Sequence, residues 1–401
     1  MSSTESPALE GTRILDLSRH LPGPMATMFL ADMGAEVIKL EDPAVGDPLR
    51  YIPPLVDGTS AMFLSINRSK RSVSINLKTS RGKDLALRLA ATCDVVVEGF
   101  RPGVMKKLGL GFDDLKAVRR DIILCSITGY GQNGPDRDTP GHDINYCARA
   151  GILSQSGEPD LGPQICGAQV ADVAGGVWPA VSAIIAALFQ RLHTGKGQWI
   201  DIALADGALS TMALSLAPVL AKSPTVPRGM GPLNGGLACY GVYQTADGGH
   251  LAVGALEEPF FDALCNAMDL PGLRGQGMAT GRQGMKVRQQ LADKFRTMTR
   301  DQWTEKLKGV DCCVEPVLDL HEVPTHPQFQ ARQMFVQQNQ PKGLRTHFAS
   351  PIKLANNPPL DLHTPSLGEH TEEILQGLGL DSDTLGSLAE KGIIRLGEHN
   401  S

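Results

Sequence analysis

The stretch that decides the fold is RILDLSRHLPGPMATMFLADMGAEVIKLE, residues 13–41. It opens with a short apolar run that stops at the Pro-Gly-Pro triplet of residues 22–24, and it closes with VIKLE, a segment typical of a buried strand. Between them, Pro24 suits a first helical position and Gly34 a helix end, so we predict a helix over residues 25–33. Strand, helix and strand in this order indicate a parallel sheet flanked by helices.

The same rhythm continues to about residue 130. Ser80 is predicted to cap a helix in which Leu85 and Leu89 share one face. DVVVEGF (residues 94–100) and DIILCSIT (residues 121–128) are predicted strands that end in Gly/Pro loops. The fold class is therefore α/β, and ligands are expected at the loops that follow the strand C-termini.

A different composition begins near residue 222. Residues 222–233 are rich in Pro and Gly and indicate a linker, while YGVYQTADGGHLAVGAL (residues 240–256) predicts two strands joined by a turn. We predict a first part of a large domain at 1–221, a small α+β domain at 234–322, and a return linker with the C-terminal part of the large domain at 323–401.

Composition narrows the function classes. The 401 residues are 42% apolar and 20% charged, with a formal net charge of −5, so no overall basic field attracts nucleic acid or an anionic membrane. The N-terminus lacks the pattern of a signal peptide, and residues 207–221 are too interrupted to span a bilayer. Eight cysteines without C-x-x-C pairs indicate reduced thiols. We expect a cytoplasmic protein with no membrane and no nucleic-acid partner.

Familiar chemical motifs are missing or broken. Residues 129–134 (GYGQNG) fit G-x-G-x-x-G, but the prolines and aspartates that follow favour a loop over the helix that a dinucleotide fingerprint needs. The sequence has no G-x-S-x-G elbow and no Walker loop, and no metal is expected.

Several segments do occur together in the order of one family. They are LDLSRHLPGPMATMFLADMGAEVIKLE, NRSKRSVSINLK, VEGFRPGVMKKLGLGF, SITGYGQNGPDRDTPGHDINY, RLHTGKGQWIDIALADGAL and LGEHTEEIL. Over nearly the whole chain they resemble the class III CoA-transferase superfamily, the CaiB/BaiF type. The resemblance implies a Rossmann-like large domain and a smaller α+β domain joined by long linkers. It also implies an interlocked homodimer, with each active site between the large domain of one chain and the small domain of the other.

Within the superfamily, three segments resemble those of α-methylacyl-CoA racemases: GHDINY (residues 141–146), VAD before a Gly-Gly pair (170–172) and VGALE (253–257). By this resemblance His142 and Asp172 are the two catalytic bases, and Glu257 hydrogen-bonds the histidine. The implied activity is that of an isomerase of lipid metabolism, which inverts C2 of 2-methylacyl-CoA thioesters. Taken singly, a loop histidine is usually solvated and Asp172 suits a helix cap.

The chemistry explains why a histidine and a carboxylate are needed. A thioester acidifies the proton on its α-carbon, so one base removes this proton to give an enolate and a second acid returns it to the opposite face. Glu257 would hold the imidazole in one tautomer. Backbone N–H groups of a Gly-rich helix start at Gly175 and Gly176 are candidates for stabilising the enolate oxygen.

CoA enters as part of the substrate, and no separate cofactor is expected. By resemblance its contacts fall at Ile75, Asn76, Leu77, Lys78, Gly99, Phe100, Arg101, Lys107, Gly141, Asp143, Ile144, Asn145 and Tyr146.

Two departures from the family pattern concern the phosphates. Asp42 stands where family members often carry an arginine, so Arg50 or Lys39 is a candidate replacement. Lys107 replaces another arginine; it keeps the charge but loses the bidentate geometry of a guanidinium.

A CoA-transferase is the main alternative. In that reaction the carboxylate at the position of Asp172 attacks as a nucleophile, so Asp172 alone does not separate the two activities. His142 and Glu257 favour the racemase, because transferases of the family do not generally need that pair. A CoA-binding protein without activity is the third possibility, and the retention of both His142 and Asp172 disfavours it.

Overall fold

Six parallel strands form the central sheet of the protein, whose computed structural model describes residues 6–340 and 343–397. The order of strands across this sheet is β5-β2-β1-β6-β7-β8. A three-stranded antiparallel sheet, β11-β10-β9, and two hairpins, β3-β4 and β12-β13, complete the strand pairings. The strands are β1 (Arg13–Asp16), β2 (Glu36–Glu41), β3 (Leu55–Val56), β4 (Thr59–Ser60), β5 (Lys70–Ser74), β6 (Val95–Glu98), β7 (Ile123–Thr128), β8 (Trp199–Ala203), β9 (Tyr240–Gln244), β10 (His250–Gly254), β11 (Val314–Pro316), β12 (Phe335–Gln340) and β13 (Gly343–Phe348).

Helices connect these strands. They are α1 (Pro22–Asp32), α2 (Ala61–Ile66), α3 (Ser80–Ala90), α4 (Val104–Leu108), α5 (Phe112–Val118), α6 (Asp143–Arg149), α7 (Ile152–Gln155), α8 (Val170–Asp172), α9 (Trp178–Thr194), α10 (Leu204–Ser210), α11 (Ala213–Leu220), α12 (Glu258–Ala267), α13 (Gly281–Phe295), α14 (Arg300–Leu307), α15 (Pro327–Ala331), α16 (Thr371–Gln376) and α17 (Ser382–Glu390). A π-helical segment, Val173–Val177, joins α8 to α9, and short 3-10 turns lie at Pro48–Tyr51, Pro271–Leu273 and Val323–Thr325.

The predicted α/β class and the parallel sheet are confirmed, and the first crossover shows how the sequence directs them. β1 and β2 pair in parallel register through Ile14 with Val37, and both side chains are fully buried. The helix between them begins at Pro22, earlier than the predicted residue 25, because Pro22 already supplies the fixed φ of a first helical position. Gly34 ends the segment as predicted, with a φ of +102°.

The α3 cap also differs from the prediction. Thr79, and not Ser80, is the capping residue, and its Oγ1 accepts a hydrogen bond from the N–H of Gly82 at 3.0 Å. Two adjacent hydroxyl residues give the same sequence signal, so only the backbone conformation separates them. The predicted Leu85 and Leu89 do share one face and lie in the core.

The chain divides into two compact units. The first consists of Met1–Ala150, Ala168–Met212 and Ala331–Ser401, and the second of Gly151–Gly167 and Ala213–Gln330. The first contains the parallel sheet, and the second has its own core around Phe261, Phe295 and Trp303. These divisions differ from the predicted boundaries at 221 and 323.

Residues 151–167 join the second unit through contacts that are distant in sequence. Asn234 Nδ2 donates to Gln155 Oε1 at 3.1 Å. Arg228 Nη2 donates to the carbonyl of Leu161 at 2.6 Å. Sequence composition gives no sign of such contacts.

One helical stretch among the described residues, Val170–Thr194, is long and apolar enough to cross a membrane, with a mean hydropathy of 1.6. In the 18-residue window of this stretch that meets the criterion, 44% of the residues are buried inside the protein. α9 packs on α1, where the ring of Trp178 stacks on Phe29 at 5.1 Å. Core helices share this length and composition.

Candidate active site

A cavity of about 580 Å³ opens beyond the carboxyl ends of strands of the central sheet. Its walls come from the segments after β1, β6 and β7, and from the first residue of α10 after β8. Parallel α/β sheets bind ligands at this edge because the loops and helix N-termini converge there. The lining residues that matter for chemistry are Ser18, Arg19, His20, Phe100, Arg101, Arg137, His142, Asn145, Tyr146 and Asp172.

His142 stands at the N-terminus of α6, just before Asp143. Its backbone N–H donates to Asn145 Oδ1 at 3.0 Å, which fixes the start of the helix and hence the position of the imidazole. His142 is exposed and lines the cavity.

Asp172 lies in the same cavity at the end of α8 and is half-buried. Its backbone N–H donates to Asp143 Oδ1 at 3.0 Å, which ties the two segments together. Burial and then the nearby Asp143 carboxylate raise the pKa of Asp172 from 3.8 to about 6, while His142 opposes the change. The cavity thus holds a carboxyl group that titrates near neutral pH.

Tyr146 lines the same cavity as His142 and Asp172. Its hydroxyl donates to the carbonyl of Gly141 at 2.6 Å, and its ring meets Tyr130 edge-on at 5.1 Å. Burial and the proximity of Asp172 raise the pKa of Tyr146 to about 12, so the phenol stays protonated. Any added side chain at Gly129 would collide with this ring, because a Cβ there would lie 2.5 Å from the hydroxyl oxygen.

Cations that the sequence analysis did not single out also line the cavity. The guanidinium of Arg19 lies over the Phe100 ring at 5.2 Å. Arg137 Nε is buried without a hydrogen-bond partner among the described residues. Together with Arg101 they make a local positive site in an acidic chain, which suits phosphate oxygens. Arg19, Arg101 and Arg137 each follow a strand of the central sheet, and this position is the sequence signal by which they could be found.

A second carboxyl group with a raised pKa lies directly behind the cavity. Glu98, the last residue of β6, is buried, and burial raises its pKa to about 7. Its Oε2 accepts the N–H of Phe100 at 2.8 Å. Glu98 therefore sets the backbone of the loop that carries Phe100 and Arg101.

The predicted CoA-contacting residues separate into groups. Gly99, Phe100, Arg101, Gly141, Asn145 and Tyr146 line the cavity. Asn76 lines a second cavity at the other end of the same sheet edge. Ile75 is fully buried in the core, and Leu77 packs against that core. The remaining residues, Lys78, Lys107, Asp143 and Ile144, do not line either cavity.

Asp42 stands where family members often carry an arginine. Lys39 and Arg50, the two candidates to replace that arginine, are not available to a phosphate. Lys39 is fully buried, with its Nζ 3.0 Å from Asp47 Oδ2 and 2.9 Å from the Ser18 carbonyl oxygen. Arg50 makes a bidentate pair with Glu41 at 2.7 and 2.8 Å. Those expectations were wrong, because Asp47 pairs with Lys39 and Glu41 pairs with Arg50.

Gly175 and Gly176 do not supply donors to the cavity either. Both are buried in the π-helical segment. A Cβ at Gly175 would lie 2.7 Å from the Leu204 carbonyl oxygen, so this glycine is needed for the close approach of α10. The expected role in stabilising an enolate is therefore replaced by a packing role.

Glu257 belongs to the second unit. It is exposed and occupies the residue before α12, with extended backbone angles of −79° and 137°. Its charge acts on the Cys313 thiol. Burial raises the pKa of that thiol, and the charges of Asp311 and Glu257 raise it further. The expected pairing of Glu257 with His142 stays a prediction.

The protein has an α/β fold with a cavity at the carboxyl ends of its parallel strands, and comparison with known proteins identifies its family. The chain belongs to CoA-transferase family III, which it matches over residues 9–371. It is 35% identical to mouse succinyl-CoA:glutarate CoA-transferase, over 96% of this chain and 90% of that protein. It is 34% identical to human alpha-methylacyl-CoA racemase, over 96% of this chain and 97% of that protein.

A solved structure supports the same assignment. The crystal structure of a CAIB/BAIF family protein from Brucella suis superposes with a TM-score of 0.80 at 32% identity, and covers 93% of this chain and 100% of that one. The family resemblance of the sequence is thereby confirmed. Relatives of similar identity carry racemase names and transferase names.

Proposed function

We propose that the protein is a racemase that inverts C2 of 2-methylacyl-CoA thioesters by 1,1-proton transfer with two bases. The observation that carries the proposal is that His142 and Asp172 line one cavity, with the pKa of Asp172 raised to about 6. The Asp172 carboxyl then exchanges a proton near neutral pH, and the His142 imidazole in the same cavity supplies the second base that a two-base mechanism requires.

The proposed steps balance as follows. One base takes the proton from C2, and the electron pair of the C–H bond moves into the thioester to give an enolate. The conjugate acid of the other base then delivers a proton to the opposite face of C2, and the enolate returns to the thioester. His142 and Asp172 exchange roles for the opposite epimer.

Glu257 is proposed to accept a hydrogen bond from the His142 imidazole, within an interlocked homodimer. The apolar surface of the chain supports such a dimer. On α9, Phe189 and Leu192 are 64% and 81% exposed, and α11 has no buried residue although it is largely apolar. Exposed apolar surface of this extent is typical of an interface.

A CoA-transferase with Asp172 as nucleophile is the second candidate, because relatives with transferase names match the chain equally well. The test is NMR of one pure epimer of a 2-methylacyl-CoA in D₂O, without a carboxylic acid acceptor. Loss of the α-proton signal together with appearance of the other epimer supports the racemase. Persistence of that proton, with CoA transfer once an acceptor acid is added, refutes it and favours the transferase.

Variants assign the roles of the two bases. His142→Ala and Asp172→Ala should each lower turnover about 10²–10⁴-fold with the fold intact. His321→Ala and Asp383→Ala, at exposed positions outside the cavity, serve as matched controls. A near-normal rate in either active-site variant would contradict the role assigned to that residue.

A further inference from the structure

A second histidine, His20, lines the candidate active-site cavity together with His142 and Asp172. It follows the last residue of β1 by four positions, and it is exposed. Its backbone N–H donates to Asp47 Oδ1 at 3.3 Å, whereas its imidazole makes no hydrogen bond or ion pair with the residues that the structure describes. The cavity therefore holds an imidazole whose N–H is free to meet a ligand.

The backbone of His20 is left-handed, with a φ of +63°. A residue with a Cβ is destabilised in this conformation, which glycine adopts without strain. Within the described part of the chain, no hydrogen bond of the imidazole compensates for the strain. A strained residue at a cavity indicates a functional role for its side chain.

Buried ions hold this strained turn in place. Asp16 Oδ1 accepts the N–H of Ser18 at 2.9 Å, and Lys39 Nζ donates to the Ser18 carbonyl oxygen at 2.9 Å. Lys39 Nζ also lies 3.0 Å from Asp47 Oδ2, and Asp47 is the residue that accepts the N–H of His20. Because all three ions are buried, the position of His20 is fixed before a ligand arrives. Preorganised donors of this kind are the ones that stabilise a developing oxyanion.

The other uncharged donors of the cavity are less available. Besides His142, the uncharged lining side chains with an N–H or O–H group are Ser18, His20, Thr128, Thr139, Asn145 and Tyr146. The hydroxyls of Ser18 and Tyr146 donate within the protein, to Asp16 and to the Gly141 carbonyl. Thr128 Oγ1 is buried, and the Asn145 side chain is held at the start of α6 by the His142 N–H. His20 and Thr139 remain as exposed donors, and of these two His20 has its backbone fixed by buried ions.

A donor is needed at the thioester oxygen of the substrate. Gly175 and Gly176 do not supply it, because both are buried in the π-helical segment. Removal of the proton from C2 places negative charge on this oxygen as the enolate forms, and attack on the thioester carbon in acyl transfer charges the same oxygen. An imidazole N–H stabilises that charge by a hydrogen bond and takes no part in the proton transfer at C2.

We propose that the His20 imidazole donates a hydrogen bond to the thioester oxygen of the substrate and stabilises the negative charge that develops there. The proposal rests on the proposed function, since it takes an acyl-CoA as the ligand of the cavity. It applies to either candidate reaction, because both charge the same oxygen. The role of His20 is separate from that of His142 and Asp172, which move the proton.

The first test measures kcat and KM for exchange of the C2 proton, and for CoA transfer to an added carboxylic acid. His20→Gly should lower kcat about 10²–10³-fold, the usual effect of removing one oxyanion donor, with KM nearly unchanged. Because glycine adopts a φ of +63° without strain, this variant should unfold at the same or a higher urea concentration than the unaltered protein. His20→Asn should recover part of the rate, since asparagine tolerates this backbone and offers an amide N–H. His321→Gln, at an exposed position outside the cavity, is the matched control.

The second test involves no proton transfer at C2. Pivaloyl-CoA, a thioester without an α-proton, is labelled with ¹³C at its carbonyl, and the carbonyl stretching frequency is measured in the complex by isotope-edited infrared spectroscopy. The frequency should be lower in the unaltered protein than in His20→Gly, because a hydrogen bond weakens the C=O bond. Equal frequencies in the two proteins would overturn the proposal, as would an unchanged kcat in His20→Gly.

The outcomes separate this proposal from the proposed function. If CoA transfer occurs and the C2 proton persists, the racemase is refuted, and the loss of rate in His20→Gly is measured on the transfer reaction instead. Proton exchange at the same rate in His20→Gly refutes only the role of His20. A protein that catalyses neither reaction refutes both proposals.

Discussion

Replacing Asp143 by asparagine should move the acid limb of the pH–rate profile to lower pH. Asp143 accepts the backbone N–H of Asp172 at 3.0 Å through Oδ1, and an asparagine side-chain oxygen is able to accept the same bond. The substitution therefore removes a negative charge while it preserves the local geometry. The change acts on Asp172, whose pKa burial and Asp143 both raise.

The magnitude follows from the order of these causes. The pKa of Asp172 rises from 3.8 to about 6, and burial contributes more of the increase than Asp143 does. Removing the Asp143 charge should therefore lower the apparent pKa by about one pH unit, equivalent to about 1.4 kcal/mol between the two protonation states. Removing a cause that raises the pKa lowers it, so the acid limb moves toward acid.

The assay is kcat/KM for α-proton exchange measured by NMR from pH 4.5 to 9, which reports the apparent pKa values of the free enzyme. Asp138→Asn is the matched control, because Asp138 is an exposed carboxylate of the preceding loop and does not line the cavity. An acid limb that stays in place, or moves to higher pH, would refute the electrostatic link between Asp143 and Asp172.

Three further predictions concern stability and assembly. Asp172→Asn should stabilise the fold by about 2–3 kcal/mol at pH 7.5 in urea unfolding, because ionisation of this buried carboxyl is disfavoured in the folded protein; the gain should fade below pH 6 and vanish below about pH 4. Arg68→Met should cost about 3–5 kcal/mol, since it leaves the buried Asp32 carboxylate without its bidentate partner, and adding Asp32→Leu should recover most of that loss. Leu192→Glu should shift the protein to monomer in light scattering, while Val118→Glu should not; a dimer that survives Leu192→Glu would contradict a role of the α9 face in the interface.

The parts of the fold that the sequence predicts well are those set by local pattern. The run from Ile14 to Glu41 combines buried β-branched residues, a proline at a helix start and a glycine at its end, and each signal acts over a few residues. Local signals also predict His142 in a loop and Asp172 at a helix cap. Family resemblance was needed to join these two residues in one site, because thirty positions separate them along the chain.

The parts that the sequence does not predict depend on partners far along the chain. Lys39 has the sequence context of a phosphate ligand, yet Asp16 and Asp47 enclose it in the core and raise its pKa despite the opposing effect of burial. Arg50 is held in part by the carbonyl of Pro365, which lies 315 positions away. A cation is available to a ligand only if the fold leaves its charge unmatched, and charge matching is a tertiary property.

The buried ions have a structural consequence for the site. Asp16 is fully buried at the end of β1, and its carboxylate accepts hydrogen bonds from Thr27 at 2.8 Å and from Lys70 at 3.1 Å. It also accepts from Ser18, whose carbonyl is held in turn by Lys39. These contacts fix the backbone next to Arg19, so the ion network contributes to the position of a cation that lines the cavity.

The two candidate reactions place opposite demands on Asp172. A nucleophilic carboxylate must be ionised when it attacks, and a low pKa serves that role. A proton shuttle must hold a proton in one direction of the reaction and release it in the other, which requires a pKa near the working pH. Burial and Asp143 raise the pKa of Asp172 to about 6, which meets the requirement of a proton shuttle and still leaves the carboxylate mostly ionised at pH 7.5, as a nucleophile requires. A partner surface that covers His142 in a dimer would exclude further water from the cavity. The added burial would raise the pKa of Asp172 further.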